Sequence, residues 1–261
     1  MAKIIRIKVL VNDLFSCQST SERLPFSWFG INPFTHLDKG GQNAHPKSPL
    51  FQKYLEKIFT EAISEPDIVA LSIATRPDCL GNNVLGLLEK LNKIKPVWVE
   101  LGLQTIHEKS ADYIRRMYPL TVYDSAVENL HKIGVNVITH LILGLPGESH
   151  DDMLDSVRYV SSIPGLFGMK LHLLNIVKGS QMEYLYPDYQ PFASIEEYVN
   201  LVVECLEIIP PDVTIHRLTG DAPRSILINP PWSFNKRTIL NGIDDRMHLL
   251  DTWQGKYAES R

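Results

Sequence analysis

From Ser48 onward the apolar positions alternate between two regimes. Leu50, Phe51, Tyr54, Leu55, Ile58, Phe59, Ala62 and Ile63 recur at the spacing of one helix face, so the pattern predicts a helix over Leu50–Ser64. Asp67–Ala74 is a short apolar run, the mark of a strand covered on both faces. The alternation then repeats. Helix Asn83–Ile94 leads to strand Val97–Leu103, then to helices Glu108–Met117 and Val122–Ile133 and strand Val135–Leu143. Helix His150–Ser161, strand Gly168–Ile176 and a short helix Gly179–Tyr186 follow. A long helix Ile195–Ile209, stopped by Pro210 and Pro211, precedes strand Val213–Leu218 and helix Asn235–Leu249. The punctuation agrees: Gly134 suits the position just past a helix end, and Ser149 with Asp152 resembles a capping box.

Before Ser48 the pattern breaks down. Lys3–Val11 alternates loosely and reads as a possible strand, whereas Phe15–Lys47, rich in Ser, Pro, Gly, Asn and His, reads as loop. Five strands separated by helices, with strands apolar on both faces, imply an α/β fold around a parallel sheet. No G-x-G-x-x-G follows a strand, so a (β/α) barrel is preferred to a doubly wound dinucleotide fold. The expected organisation is a divergent segment over 1–48, a partial barrel over 49–190 and a C-terminal extension over 191–261.

Composition narrows this little. At 261 residues, 44% hydrophobic and 21% charged, the chain reads as an ordinary globular protein with room for one full core. A net charge of −4 supplies no global field for nucleic acid or anionic membrane, and no run is long and apolar enough to predict a membrane span. Three cysteines cannot all pair, which points to a reducing, cytoplasmic setting.

Candidate chemistry gathers at the carboxyl ends of the strands, where barrels and open α/β sheets bind ligands. These ends carry Thr75, Arg76 and Asp78; Gln104 and Thr105; His140 and the turn GLPGE; and His172, Asn175 and Lys178. Each has a bland reading, since a lone strand histidine is more often a satisfied core residue and a strand-end Gln or Thr more often a turn group. Repetition at successive strand ends favours a shared binding rim. Lys178-Gly179-Ser180 with the GLPGE turn also fits an anion site of an unrelated phosphate-handling barrel. A zinc site from Cys17, His36 and His45 lacks any paired ligand spacing.

The linked motifs LGLQTIHE, the following Arg116, THLILGLPGES and KLHLLNIVKGS resemble the radical S-adenosylmethionine superfamily. More narrowly they are similar to its branch around the Elongator catalytic subunit and oxygen-independent coproporphyrinogen oxidase. RPDCL, HRLTGDAPR and the segment from KRTILNGIDDRM to TWQG resemble an uncharacterised bacterial subfamily of that branch, so the likeness spans about Ser48 to Gly255. The resemblance implies a partial (β/α)6 barrel that holds S-adenosylmethionine and a [4Fe–4S] cluster, with reductive cleavage of the sulfonium starting radical chemistry. By the same resemblance Gln104 and Arg116 match polar contacts to S-adenosylmethionine, Arg116 facing its carboxylate. His140 matches a ribose contact, and Leu143, Gly144, Leu145 and Pro146 match the turn against adenine. RNA as a partner follows from the Elongator likeness alone.

The cysteines depart from that family. Its cluster is held by C-x3-C-x2-C in the loop after the first strand, because iron–sulfur clusters need closely spaced thiolates. Cys17, Cys79 and Cys205 are too far apart for any two to share a loop. Cys205 lies among Val202, Val203, Leu206 and Ile209 and reads as a core thiol. The first two strands and the cluster loop are therefore expected to be lacking or altered, and no metal ligand is assigned. Three readings stay open: a radical enzyme relative with a truncated or frame-shifted start, a cluster-free S-adenosylmethionine- or nucleotide-binding module, and the unrelated phosphate-binding barrel.

Overall fold

The computed structural model describes residues 3–8, 49–220 and 222–259. The proposed loop Phe15–Lys47, and with it Cys17, His36 and His45, lies outside the described residues. In chain order the elements are β1 (Lys3–Lys8), α1 (Pro49–Ser64), β2 (Ile68–Thr75), α2 (Asn82–Asn92), β3 (Val97–Gln104), α3 (Glu108–Tyr113) and α4 (Leu120–Lys132). Then come β4 (Asn136–Leu143), α5 (His150–Ser161), β5 (Gly168–Leu173), β6 (Ile176–Val177) and α6 (Gln181–Leu185). The last are α7 (Ile195–Ile208), β7 (Thr214–Arg217), β8 (Leu227–Asn229) and α8 (Lys236–Leu249). Strand–helix alternation with parallel pairing makes this an α/β fold of the partial (β/α)-barrel type, followed by C-terminal α/β elements. No helix among the described residues is long and apolar enough to cross a membrane.

The chain divides into two compact units. The first comprises residues up to Gly102 with Thr121–Val137. Within it β1 pairs with β2, and β2 with β3, all parallel. The free edge that loss of an amino-terminal strand would leave on β2 is thus covered by β1. Val97, Val99 and Leu101 of β3 are buried, the outcome expected of an apolar run packed on both faces. A polar pair is buried here too: Ser72 donates to the Glu100 carboxylate at 2.8 Å. Asn92, at the end of α2, accepts from the Val97 amide at 2.8 Å and donates to the Gly134 carbonyl at 2.9 Å. Gly134, with φ +69°, takes the left-handed conformation that closes α4.

The second unit comprises Leu103–Leu120 and Ile138 onward. Here β4, β5 and β7 pair in parallel, with Ile138 opposite Gly168 and Leu143 opposite Leu173. Side chains alternate across the sheet. Thr139, Leu141 and Leu143 share one face with Met169, Leu171 and Leu173, and all six are buried. The core of this unit also receives Val199, Val202, Cys205 and Leu206 from α7, so Cys205 is the core thiol its neighbours implied.

Two predicted elements are shorter than their apolar patterns. The helix after β3 ends at Tyr113 because Arg115 and Met117 adopt φ of +53° and +65°, which no helix accommodates. The run Gly168–Ile176 breaks after Leu173, and Ile176–Val177 pairs antiparallel with β8 instead. Apolar content cannot register such a change of partner.

Candidate functional site

The end of β3 is an unusual piece of backbone. Gln104 has φ +68°, a left-handed conformation uncommon outside glycine that the surroundings must enforce. The enforcing group is Arg116, which is only 4% exposed. Its Nη1 donates to the Thr105 carbonyl at 2.6 Å and the Leu103 carbonyl at 3.4 Å, straddling Gln104. Its Nε donates to the Tyr118 carbonyl at 2.9 Å, and Nη2 to Glu108 Oε1 at 3.0 Å. The Tyr118 ring lies 5.2 Å from the guanidinium carbon, and its hydroxyl donates to Gln104 Oε1 at 3.4 Å. Arg116 therefore faces the protein's own carbonyls and Glu108, and it holds the turn that presents Gln104.

The end of β4 turns through Gly144 and Gly147, with φ +88° and +84°. Leu143, Gly144, Leu145 and Pro146 are all buried. The Gly144 amide donates to Met153 Sδ at 3.1 Å, and its carbonyl accepts from the Tyr189 hydroxyl at 3.0 Å. A β-carbon on Gly144 would come within 2.8 Å of both Phe192 and Pro191, so only glycine lets this cover close over the turn. Burial, then the neighbouring Glu148 charge, pushes the Tyr189 phenol up to about 12.

Glu148 joins the two turns. Thr105 Oγ1 donates to Glu148 Oε1 at 2.6 Å and accepts from the His107 amide at 3.0 Å. Ser156 of α5 lies 3.4 Å from the same hydroxyl and accepts from the Ile106 amide at 3.3 Å. Burial raises the Glu148 carboxyl above its ordinary value, opposed by hydrogen bonds from Thr105 and Ser110. Sequence reasoning singled out the GLPGE turn as a ligand contact and overlooked its glutamate as a strut. Tyr118, Ser156 and Tyr189 were missed too, since nothing in their local spacing links them to the turns.

Elsewhere in this unit the His140 and His172 rings lie 5.0 Å apart, tilted by 45°. Asn175 donates to Ser233 Oγ at 2.9 Å. The Lys178-Gly179-Ser180 turn is filled by its own chain: the Gly179 amide donates to Glu183 Oε2 at 2.6 Å, and Ser180 caps α6. In the first unit Arg76 and Asp78 form a two-bond ion pair at 2.9 and 2.8 Å.

The described thiols do not suit a cluster. Cys205 is fully buried in α7, with its thiol pushed well up by burial. Cys79 is half-buried, and burial followed by Asp78 pushes its thiol up to about 12. Neither has a second cysteine in its own loop, whereas iron–sulfur clusters are held by several closely spaced cysteines. Among the described residues no three His, Cys, Asp or Glu side chains are grouped to hold a metal ion.

Two family models match the chain: Radical SAM superfamily over residues 42–160, and Radical_SAM C-terminal domain over residues 167–248. Uncharacterized protein YtqA of Bacillus subtilis is 41% identical over 206 residues, covering 78% of this chain and 64% of that protein. The chain thus spans less than two thirds of that relative's length. A tRNA uridine(34) acetyltransferase of Methanocaldococcus jannaschii is 25% identical over 170 residues, 64% of this chain and 31% of that enzyme. Among solved structures, the archaeal Methanocaldococcus infernus Elp3 with an N-terminal deletion superposes with a TM-score of 0.61. It is 21% identical, over 74% of this chain and 46% of that one, and shares the fold.

Proposed function

Starting from a chain that belongs to the radical S-adenosylmethionine superfamily, beside its Elongator-like branch, we propose that it binds S-adenosylmethionine at the ends of β3 and β4. The sequence contains no C-x3-C-x2-C to hold a cluster, so the reading is a binding barrel without its own cluster. The observation that carries it is the Thr105–Glu148 hydrogen bond at 2.6 Å, which ties the Gln104 turn to the GLPGE turn. Two turns fixed against each other make a preorganised pocket wall, and preorganisation lowers the ordering cost of binding. Gln104 contributes a side-chain amide, the glycine turn a close backbone surface and His140 a polar group from β4. Arg116 acts as a positioning residue, because its donors already serve the Gln104 turn. Superfamily membership sets aside the unrelated phosphate-binding barrel.

Calorimetric titration of the purified chain tests this. Saturable S-adenosylmethionine binding, weakened at least about tenfold in Gln104→Ala, is the expected result. Absence of binding by the unsubstituted chain would sink the proposal. The relatives named as tRNA-modifying enzymes make RNA the candidate macromolecular partner. Failure of tRNA to shift in a low-salt mobility assay would count against that partner.

A further inference from the structure

Helices α7 and α8 pack on each other within the second unit, and a groove of about 610 Å³ runs between them. Residues four apart on each helix line it: Ile195 and Val199 on α7, Gly242 and Arg246 on α8. A β-carbon on Gly242 would meet Val199 Cγ2 at 3.3 Å, so the helices approach closely there and no side chain fills the groove. Glu196 and Asp245 line the same space. Among the described residues the Arg246 guanidinium forms no ion pair with either carboxylate. Arg246 Nε and Asn200 Oδ1, a donor on α8 and an acceptor on α7, are shut off from water with no hydrogen-bond partner. Leaving such atoms unpaired is costly. Both side chains are half-buried at the groove, so rotation about their outer torsions turns these atoms toward an occupant.

We propose that this groove binds an aliphatic zwitterion of the α-amino acid class, free or as the ends of a short peptide. Its carboxylate is received by the Arg246 guanidinium, whose planar donors match two oxygens. Its ammonium lies toward Glu196 and Asp245 and donates to the Asn200 amide oxygen. Its aliphatic side chain covers Ile195, Val199 and Leu249, the last 73% exposed. Two carboxylates against one guanidinium give the lining a net negative charge. That disfavours a simple anion and admits a ligand that carries its own cation. The volume falls within the range of small-ligand pockets. The groove shares no residue with the β3 and β4 turns, so the inference stands apart from the cofactor reading.

The test titrates L-leucine and trileucine into the full chain by calorimetry, beside N-acetyl-leucine, which lacks the ammonium, and leucinamide, which lacks the carboxylate. The variants are Arg246→Gln and the exposed pair Glu196→Gln with Asp245→Asn, with urea midpoints to verify folding. Saturable binding of leucine or trileucine, weakened at least about tenfold in Arg246→Gln and for both capped leucines, is the expected result. The exposed pair should also weaken it. Tighter binding of leucine assigns the free amino acid, and tighter binding of trileucine the peptide. No binding of either probe, equal binding of the capped forms, or unchanged binding by the folded variants overturns the proposal. S-adenosylmethionine is itself an α-amino acid, so leucine and trileucine are also titrated into Gln104→Ala. Unchanged binding is expected there, and its loss would move the ligand to the end of β3 and overturn the groove assignment.

Discussion

Arg116 satisfies three backbone carbonyls and Glu108 with a single guanidinium, and the left-handed Gln104 sits inside that clamp. Arg116→Met would leave those carbonyls short of donors and Glu108 without its partner. The expected loss is about 3 kcal/mol in urea unfolding, with Arg116→Lys intermediate because an ammonium cannot span the same acceptors. A loss under about 1 kcal/mol in the methionine variant would show that the clamp is dispensable. Glu148 makes the second prediction at this scale. Its folded-state value is raised by burial, so the folded chain holds the proton longer than the unfolded one. Its contribution is therefore complete below the ordinary carboxylate value of about 4.3 and is lost as pH rises through the raised value. Urea midpoints measured as a function of pH should fall across that window relative to Glu148→Gln, whose amide oxygen still accepts from Thr105. Parallel pH profiles would contradict the assignment. The sequence exposed both residues as polar groups in the motifs, but not their partners, because Thr105–Glu148 and Arg116–Tyr118 depend on how two strand ends fold back.

At the scale of elements, the GLPGE turn and α5 behave as one piece. Ser149 and Asp152 close a full capping box: Ser149 Oγ accepts from the Asp152 amide at 3.2 Å, and the Asp152 carboxylate accepts from the Ser149 amide at 2.8 Å. Hydrogen bonds donated by the Ser149 amide and hydroxyl hold the Asp152 carboxyl below its ordinary value. This helix start was legible in the sequence because a cap is a local interaction between residues three apart. The cover over the turn was not. Gly144→Ala forces a β-carbon against Phe192 and Pro191 at φ +88°. A destabilisation of about 2–4 kcal/mol is expected from the left-handed penalty and the overpacking together. The fluorescence and urea midpoint of Gly144→Ala would reveal it, and an unchanged midpoint would mean that the Tyr189–Phe192 segment yields freely. The premature end of α3 and the break after β5 were hidden for the same reason. Left-handed residues at Arg115 and Met117, and a new antiparallel partner for Ile176, answer to distant contacts, not to periodicity.

For the whole molecule, the prediction concerns iron. Anaerobic reconstitution of this chain with iron and sulfide should leave no stoichiometric cluster, as judged by metal and sulfide analysis and by the visible spectrum. A full complement of iron and sulfide would overturn the cluster-free reading. Succession of strand and helix, buried strand faces, the start of α5, the end of α4 and the linked family motifs were all determined by the sequence alone. Those features are local, or periodic along the chain, and periodicity survives without knowledge of contacts. Wide separation of the three cysteines was likewise plain from their numbers. Only tertiary structure turned Arg116 inward onto carbonyls, joined Thr105 to Glu148, and brought the His140 and His172 rings to 5.0 Å from each other. Register between strands and the direction of a side chain at a turn are fixed by packing among residues far apart in sequence, and periodicity carries no record of that.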